Sequence, residues 1–120
     1  MVKITHFKHE PTARALAPGA TLFEEGSKDG LMHVVVDGEL ALSVGGEPIE
    51  TVTSGGIVGE IALIDDAPHS STATALAPSR VVPVDRDYFI RLVQEHPTFA
   101  LQVMQIMAER LRRSRRAELD

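Results

Sequence analysis

Short strand-forming runs, each stopped by turn residues, fill the chain from Ala20 to Val84, and that rhythm limits the folds open to it. Residues 31–36 (Leu-Met-His-Val-Val-Val) are rich in β-branched side chains and end at Asp37-Gly38. Residues 39–44 alternate polar and apolar, as a strand with one buried face does, and end at Gly45-Gly46. Residues 49–53 lead to Ser54-Gly55-Gly56, and residues 72–76 and 80–84 complete the series. Short strands of this kind bury their apolar faces by wrapping into a closed β-barrel or a jelly roll. Asp-Gly between two apolar runs predicts a hairpin joining 31–36 to 39–44.

The flanks read differently. Val2, Ile4 and Phe7 suggest a short edge strand, and residues 11–17 allow a helical turn before Pro18-Gly19 breaks it. After Val84 the period changes to helix, with Asp85 as N-cap and Tyr88, Phe89, Leu92 and Val93 on one face. His96-Pro97 ends that helix. Leu101, Met104, Met107 and Leu111, flanked by Val103, Ile106 and Ala108, then form an amphipathic stripe running into Arg110, Arg112, Arg113, Arg115 and Arg116. The expected architecture is one mainly-β domain over 1–120, a β-roll over about 18–84 with C-terminal helices over about 85–116.

Composition narrows the function. Twelve basic and 17 acidic residues give a net charge of −5, which disfavours a general nucleic-acid binder. The absence of cysteine removes disulfides, thiol catalysis and thiolate metal sites. No apolar run reaches the ~20 residues of a membrane span or the length of a signal peptide, so the expectation is a cytoplasmic protein with no membrane partner.

Residues 58–73 carry the chemistry. Gly59 allows close approach of backbone to a ligand. Ile61, Ala62 and Leu63 suit a short helix whose first N–H groups face an anion. His69, Ser70 and Ser71 add side-chain donors. Together Val58, Gly59, Glu60, Ile61, Ala62, His69, Ser70 and Ser71 form a candidate anion cradle.

Gly59-Glu60-Ile61-Ala62-Leu63, followed by Pro68 and Ser70-Ser71-Thr72-Ala73, resembles the phosphate-binding cassette of the cyclic nucleotide-binding domain family. The spaced glycines of Phe23-Glu24-Glu25-Gly26, Asp37-Gly38-Glu39 and Gly55-Gly56 resemble the turns of that family's β-roll, and the similarity covers about 18–113. The resemblance implies a double-stranded β-helix fold, a ligand such as cAMP or cGMP, Glu60 on the ribose 2′-hydroxyl and backbone amides on the cyclic phosphate. It requires no cofactor. At position 69 the family pattern has an arginine, and here stands histidine. A guanidinium clamps phosphate with two parallel hydrogen bonds and permanent charge; an imidazole offers one hydrogen bond per nitrogen and is mostly neutral at pH 7. Weakened or altered phosphate recognition follows from the resemblance.

Other readings carry less. His6 and His9 are too few for a metal site, and His69 beside Ser70 and Ser71 is poorly placed for nucleophilic catalysis, so no enzyme activity is expected. The arginine-rich end favours a helix C-terminus without any nucleic acid. No helix-turn-helix is expected to follow Asp120. The apolar stripe on the last helix suggests a homodimer. Two functions remain open: a regulatory sensor of a small anionic ligand acting on an unknown effector protein, or a dimerising interaction scaffold whose degenerate pocket binds no cyclic nucleotide.

Overall fold

In the computed structural model, residues 2–119 are described, with side chains through Ser114. The strands are β1 (Arg14–Leu16), β2 (Thr21–Phe23), β3 (Met32–Asp37), β4 (Glu39–Val44), β5 (Glu47–Thr53), β6 (Ile57–Val58), β7 (Thr72–Ala75) and β8 (Ser79–Val84). The helices are α1 (Glu60–Ile64), α2 (Arg86–Glu95) and α3 (Thr98–Leu119). The strands make two antiparallel four-stranded sheets, ordered β1-β8-β3-β6 and β2-β7-β4-β5. The expected jelly-roll β-roll with C-terminal helices is present. It is not a closed barrel, because among the described residues no strand ladder joins the two sheets.

The most apolar strand lies deepest. Met32, Val34 and Val36 of β3 face one cluster with Val82, Val84, Leu92, Phe99, Val103 and Ile106, between the first sheet and the helices. Val35 faces a second cluster, between the sheets, with Phe23, Leu40, Leu42, Ala73, Ala75 and Val81. With both faces covered, β3 reads as an uninterrupted apolar run; β4, covered on one face, alternates. Each large apolar side chain so buried contributes about 1.5–3 kcal/mol.

The Asp37-Gly38 hairpin does not form. β3 pairs with β6 and β8, and β4 with β5 and β7, so Gly38 carries the chain from one sheet to the other. A type I′ turn needs positive φ at both central residues, and only Gly38, at +98°, has it. Its α-carbon lies against Ser79: a Cβ there would sit 2.1 Å from Ser79 Oγ. Asp37 instead accepts from Arg80 Nε at 2.8 Å. Gly45-Gly46 does close a hairpin, between β4 and β5.

The N-terminal expectations are also corrected. Residues 2–7 form no strand; Ile4 N donates to Gly55 O, and Ile4 and Phe7 act as plugs. Phe7 is 1% exposed and meets Tyr88 and Phe99 edge-on. Residues 14–16, expected within a helical turn, pair with β8 as β1. Asp85 caps α2 as predicted, accepting from Tyr88 N at 2.8 Å.

Helix α3 turns a different face inward from the one its longest apolar residues suggest. Phe99, Val103 and Ile106 are buried, while Leu101, Met104 and Leu111 are 53%, 56% and 62% exposed. Arg115 and Arg116 lie beyond the described side chains.

Candidate ligand-binding site

The cassette is a tight turn followed by one helical turn. Gly59 adopts φ +80°, and a Cβ there would stand 2.8 Å from Leu31 O and 2.9 Å from His69 Cε1. Only glycine fits. Helix α1 then buries Ala62 and Leu63, and Arg86 Nη2 holds Leu63 O at 3.1 Å. Leu63 N is the first α1 amide to find a helical acceptor, Gly59 O at 3.3 Å. Among the described residues no protein acceptor meets the N–H groups of Glu60, Ile61 or Ala62.

These residues border a cavity of about 540 Å³. Gly59, Glu60, Ile61, Ala62, His69, Ser70 and Ser71 line it. Phe23 and Leu42 add apolar wall, and Ile49 and Glu50 of β5 with Arg110, Arg113 and Ser114 of α3 complete the lining. Seven of the eight residues singled out from the sequence therefore meet around one space. Val58 does not reach it; its side chain is fully buried between the sheets.

His69 faces inward. Its side chain is 1% exposed and its Nε2 lies 2.7 Å from Asp29 Oδ1. The ring stacks on Phe23 with centroids 3.7 Å apart and planes 11° from parallel. Its Nδ1 is buried with no partner. The backbone is held as well: His69 N donates to Ser27 O, and Gly26 N donates to His69 O, each at 2.8 Å. The imidazole thus fastens the cassette to the 26–29 turn, and neither nitrogen is offered to the cavity. Asp29 has its pKa lowered: burial works against this, but Leu31 N–H and His69 outweigh it.

A second buried histidine lies close by. His33, on β3, is 1% exposed and neither ring nitrogen has a partner. Burial pushes its pKa down to about 4, with Asp29 opposing and Arg14 and His69 adding to the effect.

Charge in the cavity comes from α3. Arg110 donates from Nε to Glu50 Oε2 at 3.0 Å, from Nη1 to Glu60 Oε1 at 2.7 Å and from Nη2 to Ile57 O at 2.5 Å. Glu60 and Glu50 are only 12% and 18% exposed as side chains, so the guanidinium offsets two desolvated carboxylates at once. Arg113 is looser, 54% exposed and 3.6 Å from Glu50 Oε2.

The sequence model described as cyclic nucleotide-binding domain matches residues 13–96. The chain belongs to the cyclic nucleotide-binding domain family. It is 28% identical over 101 residues to a CRP-like cAMP-activated global transcriptional regulator of Mycobacterium tuberculosis, covering 80% of this chain and 45% of that protein. It is 31% identical over 84 residues to the cAMP-dependent protein kinase regulatory subunit of Yarrowia lipolytica, covering 68% of this chain and 22% of that one. Among solved structures, Thermus thermophilus catabolite activator protein superposes with a TM-score of 0.77 at 25% identity, over 90% of this chain and 53% of that one. The chain spans less than half the length of these curated relatives.

Within this cyclic nucleotide-binding domain the sequence reading missed Asp29, Glu50, Arg110 and Arg113. One signal was available for Arg110. It follows Val103 and Ile106 at gaps of three and four, the phase of the buried face of α3.

Proposed function

We propose that this domain is a non-catalytic sensor of a cyclic nucleotide, cAMP or cGMP, with phosphate recognition weakened by histidine at position 69. The observation that carries the reading is the unpaired row of N–H groups at Glu60, Ile61 and Ala62, bordering a cavity that also presents Glu60 and Ser70. The cyclic phosphate docks on those amides and on Ser70, a ribose hydroxyl meets Glu60, and the base extends toward β5 and α3. With His69 Nε2 held by Asp29 and Nδ1 buried, phosphate lacks a charge-assisted hydrogen bond of roughly 1.5–3 kcal/mol, about 10- to 150-fold in affinity.

Signalling runs through α3. A ribose hydroxyl on Glu60 competes with Arg110, so ligand biases how α3 packs against the roll. The shift is only as large as the ligand's preference for one packing over the other. Exposed Leu101, Met104 and Leu111 supply a seam for a homodimer, through which an effector protein or second subunit is moved.

Isothermal titration with cAMP and cGMP tests the reading directly. Saturable heat with either nucleotide supports it, and silence at millimolar ligand removes it. The second reading, a dimerising scaffold with an empty-handed pocket, is favoured by one observation, the inward imidazole at 69. It predicts a dimer in light scattering that the paired change Leu101→Glu and Met104→Glu dissolves, with no nucleotide heat in any variant.

A further inference from the structure

His69 has one ring nitrogen partnered and one bare. Asp29 Oδ1 accepts from Leu31 N at 2.9 Å and lies 2.7 Å from His69 Nε2, so Nε2 carries the ring proton and donates it. Nδ1 keeps its lone pair, buried and without a partner. The bare edge abuts Gly59: a Cβ on that glycine would stand 2.9 Å from Cε1 and 3.4 Å from Nδ1. Among the described residues, the unpaired N–H groups of the cassette begin at the next position, Glu60. We propose that His69 Nδ1 takes up a proton from solvent when the nucleotide phosphate docks, so that the proton is a second ligand of this domain and nucleotide binding tightens as pH falls. The inference rests on the sensor reading above.

Proton and phosphate each need the other at this ring. Without an anion, a proton on Nδ1 would make a buried imidazolium with one N–H unpaired, which desolvation disfavours. Without the proton, the ring offers the phosphate no positive charge. With both present, the imidazolium stands between two anions, Asp29 on Nε2 and the phosphate beyond Nδ1. His69 already lines the cavity, and an in-plane tilt about its bond to Asp29 turns Nδ1 toward it while keeping the stack on Phe23. The proton thus supplies on demand the charge that a guanidinium carries permanently. The other charged groups around the ring come from four elements. His33 of β3 stacks on Phe23 at 6.4 Å, and Arg14 of β1 acts on His33. Lys28 and Asp66 pair at 4.0 Å between the 26–29 turn and the cassette loop, and Glu60 of α1 is held by Arg110. Of these side-chain types only histidine ordinarily titrates near neutrality, and burial keeps His33 uncharged there, with its pKa pushed down to about 4. By linkage, a bound state that holds the extra proton gains affinity as pH falls.

Calorimetric titration of the full chain with cAMP and with cGMP, repeated in non-phosphate buffers of different ionisation enthalpy, counts the protons taken up. The native protein should show heats that depend on the buffer in the sense of proton uptake, and its affinity should rise by about three- to tenfold from about pH 8 to about pH 6. His33→Phe should keep both signatures. His69→Gln should lose both, and His69→Arg, charged at every pH, should bind tightly and also lose both. Circular dichroism checks that each variant folds, and the count on the native protein stands without any variant. Heats independent of buffer in the native protein, or uptake that survives in a folded His69→Gln or His69→Arg, overturns the proton assignment and leaves the sensor reading standing. Binding of neither nucleotide overturns both.

Discussion

Arg110 Nη1 stands 2.7 Å from Glu60 Oε1, joining the last helix to the first residue of the cassette helix across 50 positions of sequence. The same guanidinium holds Glu50 and Ile57 O, so one side chain ties α3 to α1, β5 and β6. Removing it strands two carboxylates in a mostly buried site. Arg110→Ala should cost about 2–4 kcal/mol, somewhat under the range for fully buried pairs, read from the urea midpoint. Arg110→Lys should recover little, since an ammonium cannot span three separated acceptors.

At position 69 an arginine would restore a guanidinium to the cassette. His69→Arg should tighten cyclic nucleotide binding by roughly 10- to 150-fold, while giving up the stack on Phe23 at a cost of about 0.5–1.5 kcal/mol. Titration and thermal melting of the same sample read both effects. Tightening that fails to appear in a folded variant would mean that phosphate does not lie beside residue 69.

Acid should loosen the domain through His33. Its pKa is about 4 in the fold against 6.5 when unfolded, because burial without a partner disfavours the charged ring. The unfolded chain therefore binds the proton more readily. Stability is fully present above pH 6.5 and falls as pH drops from 6.5 toward 4, by about 3 kcal/mol in total. Asp29, whose pKa is lowered, adds loss of the same sign on further acidification. Urea unfolding across this range should show the slope, and His33→Phe, which fills the site with an uncharged ring, should flatten it.

Gly38→Ala should destabilise the fold by about 2–5 kcal/mol. A left-handed backbone costs a non-glycine residue roughly 1–2 kcal/mol, and displacing packed atoms costs about 1–3 more. The displaced atom would be Ser79 Oγ, which accepts from Glu39 N and donates to Ala77 O. A melting temperature within a degree of the native value would show that the sheet-to-sheet crossing tolerates a methyl group there.

What is local in the chain is legible in its sequence. The cassette is one contiguous stretch whose glycine, short helix and serines act on one another within a few residues, and seven of the eight singled-out residues share one cavity. The Asp85 cap was legible for the same reason. Strand partners were not. Asp37-Gly38 has the composition of a hairpin turn, but composition does not say whether the two runs bond to each other or to strands some 40 residues further on. Residues 14–16 have no strong strand pattern and become a strand because β8 has a free edge for them. The stripe of α3 splits: Val103 and Ile106, read as its flanks, are buried with Phe99, and Met107 packs partly against them, while Leu101, Met104 and Leu111, whose stripe suggested a homodimer, stay exposed. Arg110 escaped notice because its partners at 50, 57 and 60 lie far away in the chain.

The position of β8 between β1 and β3 has a consequence for synthesis. A ribosome releases β3 long before Ser79–Val84 exists to flank it, and β6, its other neighbour, is only two residues long. Until then the most apolar strand of the molecule waits with an open edge, the state in which nascent chains recruit chaperones or one another. High contact order of this kind makes for slow folding, and any chain cut short before β8 would lack Val82, Val84 and the helix residues Leu92, Phe99, Val103 and Ile106 that cover Val34 and Val36.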